Sequence, residues 1–172
     1  PFCGSGTIVI EAALAALNRA PGLARNCGAE LVLHSGDVWT QAREAARAAE
    51  FRGEYRILGT DIDSGSLAIA IANAKKAGVS KYIEFREADA TRESLPCDRG
   101  LIVCNPPYGE RMLEQRSAQQ LMRSSAATCA LPTVEKIYHL LRAGIEHYFG
   151  KQATKKRKLY NGRLQCNVYM YF

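Results

Sequence analysis

No apolar run in this 172-residue chain approaches the ~20 residues that a helix needs to cross a bilayer. The start, from Pro1, has neither the charged n-region nor the apolar h-region of a secretory signal. A soluble, cytoplasmic protein is the expectation. Cysteine is present but scattered (Cys3, Cys27, Cys97, Cys104, Cys129, Cys166), with no Cys-x-x-Cys pair, and the three histidines show no ligand spacing. That pattern argues against a zinc site and against a disulfide framework. Internal repeats, low-complexity stretches and linkers are missing too. The length suits one domain, residues 1–172, able to bury a real core. Acidic residues are absent from the end of the chain: from Lys151 to Phe172 there are six Lys or Arg and no Asp or Glu. With 23 basic and 17 acidic residues in all, the whole net charge of +6 lies in that tail.

What the chain does contain is a set of short motifs. Asn105-Pro106-Pro107-Tyr108 follows the apolar run Gly100-Leu101-Ile102-Val103-Cys104, so it sits where a buried strand ends. A planar exocyclic amine is a poor nucleophile because its lone pair is delocalised. An enzyme that alkylates it needs acceptors aimed at both N–H bonds. The Asn105 side-chain carbonyl and the Pro106 backbone carbonyl can take those two bonds, while the prolines, lacking N–H and fixed in φ, hold the turn in one shape. Tyr108 can stack on the flat substrate. Taken alone, the tetrapeptide is equally well an Asx-Pro turn without chemistry.

Pro1-Phe2-Cys3-Gly4-Ser5-Gly6-Thr7 leads into an Ala- and Leu-rich stretch expected to be helical from Thr7 to Ala20. Glycines let backbone approach a ligand, and a helix N-terminus presents free N–H groups to a carboxylate or phosphate. Arg56-Ile57-Leu58-Gly59-Thr60-Asp61-Ile62-Asp63 is a strand-like run ending in acids, before an expected helix from Ser64 to Ala77 that stops at Gly78. An acid at that place in nucleotide-binding α/β folds takes the ribose hydroxyls, which points to Asp61. Asp63 or Ser64 can equally cap the helix. After the expected strand Tyr82–Arg86 comes Ala88-Asp89-Ala90, where a carboxylate could accept from an adenine amino group.

These motifs, in this order and at roughly this spacing, resemble the class I S-adenosylmethionine-dependent methyltransferases. Pro-Phe-Cys-Gly-Ser-Gly-Thr, Gly59-Thr60-Asp61-Ile62-Asp63, Asn105-Pro106-Pro107-Tyr108-Gly109-Glu110-Arg111 and Lys158-Leu159-Tyr160-Asn161-Gly162 narrow the resemblance. They look like the catalytic domain of the THUMP-associated RNA methylases, formerly called N6-adenine-specific DNA methylases, whose best-known members make N2-methylguanosine in large-subunit (23S) ribosomal RNA. The resemblance covers nearly the whole chain and is weakest at Leu113–Glu135 and Arg25–Gly53. It implies an α/β, Rossmann-like fold with a mostly parallel sheet and a C-terminal antiparallel hairpin. It implies S-adenosyl-L-methionine as cofactor, held by Phe2, Cys3, Gly4, Ser5, Gly6, Thr7, Asp61, Ile62, Asp63, Asp89, Ala90 and Asn105. Asn105, Pro106, Pro107 and Tyr108 become the catalytic set. Cys3 is also well explained as a small residue filling a tight turn. The family places a central strand and an Asp immediately before Pro1, and an RNA-binding THUMP region further upstream. A fragment, poorly stable by itself, is therefore expected.

In the basic tail, Lys155, Lys156, Arg157 and Lys158 precede Leu159 and Tyr160, a pairing of phosphate-seeking cations with an aromatic ring that can stack on an unpaired base. Such runs also protect edge strands; the resemblance tips the reading towards RNA. Asn161-Gly162 is a hairpin signal, and the following residues alternate, with Leu164, Cys166, Val168, Met170 and Phe172 on one face and Arg163, Gln165, Asn167, Tyr169 and Tyr171 on the other. Further expected elements are a helix from Asp37 to Phe51, with Asp37 as N-cap and Trp39 as anchor, a helix near Glu114–Ala127, and a strand at Val134–Leu141. The rival functions are N6-adenine methylation of DNA or RNA, methylation of a protein glutamine amide, and a non-catalytic RNA-binding module. A monomer is the default, with dimerisation through the sheet edge left open.

Overall fold

The computed structural model describes residues 1–23, 25, 36–92, 100–106, 123, 134–141, 146, 150–161 and 163–172. Helix α1 (Thr7–Ala16) begins where Gly6 takes a left-handed φ of 85°. It ends four residues before the expected Ala20. Asn18 adopts a φ of 49°, and the N–H groups of Asn18 and Arg19 turn back to the carbonyls of Ala15 and Leu14. That is a Schellman cap with asparagine in the left-handed position usually held by glycine. Helix α2 (Gly36–Ala48) places Asp37 inside the first turn and not at the N-cap, and it stops three residues short of Phe51, whose N–H donates instead to Leu17 O at 2.7 Å. Trp39 is half-buried.

Strand β1 (Ile57–Asp61), helix α3 (Ser64–Lys76) and strand β2 (Ile83–Glu87) form a parallel β–α–β unit, with Ile57 opposite Ile83 and Asp61 opposite Glu87. Strand β2 lies one residue later than expected. A 3-10 turn at Ser80–Tyr82 feeds it. Helix α3 closes as the sequence implies: Gly78 at φ 68° and Val79 donate back to Lys75 and Ala74. Ala13 of α1 and Leu17 at its C-cap pack with Ala74, Val79 and Ile83, and Val9, Leu14, Tyr55 and Ile57 border this core. Arg19, just past α1, donates through Nε and Nη2 to Glu50, just past α2, and through Nη1 to Gly78 O, just past the helix that ends at Lys76.

The second sheet runs β3 (Gly100–Cys104), β4 (Val134–Leu141), β6 (Leu164–Tyr171), β5 (Lys155–Asn161) in spatial order. Strands β3 and β4 are parallel; β6 is antiparallel to both β4 and β5. The strand expected at Val134–Leu141 and the terminal hairpin are both present. Both faces of β6 carry buried residues, Cys166 on one and Tyr169 and Tyr171 on the other. The β5–β6 hairpin stands at one end of the described sheet, as the sequence implies. Burial raises the Tyr171 phenol to about 12. The helix expected at Glu114–Ala127 lies outside the described residues apart from Arg123.

Candidate active site

Strand β1 delivers the site. Successive residues of a strand send their backbone groups to alternate edges: Asp61 O accepts from Ala88 N, on the β2 side, and Thr60 O accepts from Cys3 N, on the opposite side. The segment before α1 therefore runs along the edge of β1 away from β2. From there the chain turns through Gly4, Ser5 and Gly6 into α1. Gly4 N donates to Asp61 Oδ2 at 2.8 Å and Gly6 N to Cys3 O at 2.8 Å. Asn73 of α3 donates its side-chain amide to Ser5 O at 3.0 Å. A side chain at Gly6 is excluded twice over. Its φ is left-handed, and a Cβ would stand 2.9 Å from the Cβ of Ala70 on α3. Phe2 also adopts a positive φ, 55°, a conformation that costs an L-residue energy.

The amides of Gly4 and Gly6 are thus engaged within the protein. The donors that remain are those of the first turn of α1, which carries no side-chain cap. Such a terminus offers N–H groups without intrahelical acceptors to an anion. Cys3 is half-buried, and burial first, then the charge of Asp61, pushes its thiol up. Cys3, Cys104 and Cys166 are not joined in disulfides.

Asp61 is half-buried, with Oδ2 on Gly4 N and Oδ1 on Asp63 N at 3.1 Å. A carboxylate has about four acceptor sites, so both oxygens keep capacity for hydroxyl donors. Asp63 caps α3, with Oδ2 accepting from Ser66 N at 2.8 Å and Ser66 Oγ at 2.7 Å, bonds that lower its pKa. Of the two roles open to Asp63, capping is the one its contacts display. Ile62, between these acids, is 69% exposed, an apolar side chain left open beside a polar site. Asp89 follows β2 and folds onto its own turn: Oδ1 accepts from Thr91 N at 2.9 Å and Thr91 Oγ1 at 2.7 Å, which lowers its pKa. Ala90 is half-buried beside it.

Hydrogen bonding thus gathers Cys3–Gly6, Asp61–Asp63 and Ala88 around the ends of β1 and β2, with Phe2 and Asp89 next to them in the chain. Asn105 belongs to the other sheet, one residue past β3; it is half-buried, and Pro106 is fully buried. Pro107 and Tyr108 lie outside the described residues. The basic run forms β5, the outer strand of its sheet, with Lys155, Lys156, Arg157 and Lys158 exposed and Tyr160 65% exposed. Lys156 is distinct within it. It pairs with Glu146, which raises its pKa, and lies 5.6 Å over the ring of Tyr169. Sequence reasoning did not single out Asn73 or Glu146. The only signal for Asn73 was an asparagine inside an Ala-rich helix, where that residue is disfavoured; Glu146 offered none.

A glycine turn entering an uncapped helix, beside an acid at the carboxyl end of a parallel strand, defines a nucleotide-binding α/β domain. The UPF0020 family model, RMKL-like methyltransferase domain, matches residues 1–170, and the chain belongs to that family. YpsC of Bacillus subtilis (strain 168) is 37% identical, with 100% of this chain and 46% of that protein covered. Ribosomal RNA large subunit methyltransferase K/L of Legionella pneumophila (strain Lens) is 36% identical, over 98% of this chain and 24% of that protein. Among solved structures, SMU.472, determined in complex with SAH, superposes with a TM-score of 0.92 at 33% identity, covering 100% of this chain and 46% of that one. The chain thus spans about half the length of YpsC and about a quarter of the K/L enzyme. The Rossmann-like methyltransferase fold expected from the motifs is borne out, as is S-adenosyl-L-methionine as the cofactor of the family. Among the described residues no helix is long and apolar enough to cross a membrane.

Proposed function

We propose that this domain methylates an exocyclic base amine in RNA, with guanine N2 of 23S ribosomal RNA as the target. The observation that carries this reading is Asn105-Pro106 emerging from the end of β3, with Pro106 buried so that the turn is held in one shape. The name of the K/L relatives, ribosomal RNA large subunit methyltransferases, supports RNA as the substrate. The exposed cations of β5 support nucleic acid over a protein amide.

The residues present fit the cofactor. The open first turn of α1 suits the carboxylate of its methionine end, with Cys3, Gly4, Ser5, Gly6 and Thr7 shaping the approach. The spare acceptor capacity of Asp61 suits two ribose hydroxyls, and Asp63 holds the start of α3 beside it. Exposed Ile62, with Phe2, suits the flat apolar faces of adenine, and Asp89, next to Ala90, suits its amino group. When bound, S-adenosyl-L-methionine supplies an electrophilic sulfonium methyl group, so the protein needs no covalent intermediate of its own.

Asn105 and Pro106 then present two carbonyl acceptors to the two N–H bonds of the amine, and orient its lone pair. A neutral amide cannot hold a proton at physiological pH, so Asn105 orients and solvent takes the proton. Tyr108 stacks on a base turned out of its helix, while Lys155, Lys156, Arg157, Lys158 and Tyr160 meet the RNA. The protein acts as a cytoplasmic monomer.

Nucleoside mass spectrometry of ribosomal RNA tests this, comparing cells that carry the full-length protein with cells that carry Asn105→Ala. Selective loss of N2-methylguanosine is expected. Loss of N6-methyladenosine instead would keep the chemistry and change the base. No change in any RNA nucleoside would overturn the reading.

A further inference from the structure

Three contacts fix the glycine turn, and they come from three places. Asp61, at the end of β1, takes the amide of Gly4; Cys3 O takes the amide of Gly6; Asn73, on α3, donates to the carbonyl of Ser5 at 3.0 Å. The first two groups are neighbours of the turn or part of the ligand-binding set. Asn73 is neither. It lies nine residues into a helix rich in alanine, where an asparagine costs about 0.6 kcal/mol of helix propensity relative to alanine. Its side chain spans 68 positions of sequence to reach one carbonyl of an exposed residue. One turn back along α3, Ala70 sits against Gly6 at a distance that leaves no space for a Cβ. Helix α3 therefore touches the turn twice, by contact at Gly6 and by a hydrogen bond at Ser5.

We propose that Asn73 is a positioning residue for the cofactor, one that holds Ser5 O so that the first-turn N–H groups of α1 stay aimed at the ligand. This rests on the methyltransferase reading above. Ser5 links Gly4 and Gly6, residues with left-handed φ values of 50° and 85°. A peptide between two such residues can swing with little steric resistance. Tied at Ser5 O, it cannot. Binding then meets a turn already in shape, and the ordering cost falls on folding. Asn73 acts through Ser5 without touching the ligand, so its loss should weaken cofactor binding and leave the chemical step alone.

The test uses the full-length protein with Asn73→Ala and Asn73→Asp, the second keeping size while removing the donor. Calorimetry with S-adenosylmethionine and S-adenosylhomocysteine should show Kd raised about three- to tenfold in both variants, the range expected for one net hydrogen bond. Hydrogen exchange should quicken in the segment Cys3–Val9, and kcat at saturating cofactor should stay within about twofold of wild type. Should Asn73→Ala fail to fold, Asn73→Asp decides by the same Kd. Unchanged Kd in a folded variant, with wild type binding normally, overturns the role of Asn73 and leaves the methyltransferase reading intact. A wild-type protein that binds neither molecule overturns both.

Discussion

Asn105 carries an acceptor and a donor on one flat group, and its neighbour Pro106 has a carbonyl but no N–H. If the pair orients an amine only as it reacts, removing the Asn105 carbonyl should be felt in turnover. Asn105→Ala is expected to lower kcat by about 10²- to 10³-fold, the scale of a lost transition-state hydrogen bond, with cofactor Kd within about twofold. Single-turnover kinetics alongside calorimetry would show it; equal losses in both would make Asn105 a binding residue. At this scale the sequence was informative where a residue acts through its neighbours in the chain. Asp63 and Ser64 were both legible as caps of α3, and the structure shows Asp63 as the cap, accepting from Ser66 N. Asp61 was legible as a strand-end acid, but its bond to Gly4, 57 positions away, was not. Asn18 was missed as a helix stop, and the contact its side chain makes, Nδ2 to Ala49 O at 2.9 Å, reaches across 31 positions.

Among elements, β5 shows how a charge pattern acquires meaning from its neighbours. As a sequence it is a basic run; as a strand it has two faces and, among the described strands, β6 as its neighbour. Lys156 is drawn to Glu146 and Tyr169, whereas Lys155, Arg157 and Lys158 are exposed without an ion pair in the described contacts. Neutralising a cation that meets a phosphate of single-stranded RNA should flatten the slope of log K against log salt by about 0.7. Lys158→Gln is therefore expected to change that slope more than Lys156→Gln in filter-binding titrations of the full-length protein. A slope unchanged by Lys155, Lys156 and Lys158 together would leave β5 as edge protection. Helix α1 teaches the converse. Alanine and leucine set its propensity, but its end was decided by a Schellman cap and not by Pro21-Gly22.

Over the whole molecule, the described strands form a two-stranded and a four-stranded sheet. Gly59 and Thr60 are buried, and the described bond on the edge of β1 away from β2 is that from Cys3. An unpaired backbone group in a buried strand is costly, so Cys3→Pro, which removes that donor, is expected to lower the thermal midpoint of the full-length protein, as measured by circular dichroism; an unchanged midpoint would contradict this.

The sequence by itself determined the parts whose signals are local. Alternation and apolar runs placed the strands, alanine content and the Asp63 and Gly78 caps placed α3, and the order of short motifs set the fold and the family. Tertiary structure alone decided which groups meet: that the glycine turn is fastened by Asp61 and Asn73, that Lys156 is taken by Glu146, and that both faces of β6 carry buried residues. The two bonds that fasten the turn join residues 57 and 68 positions apart. Their geometry depends on how helices stack on strands, so no short window of sequence contains it.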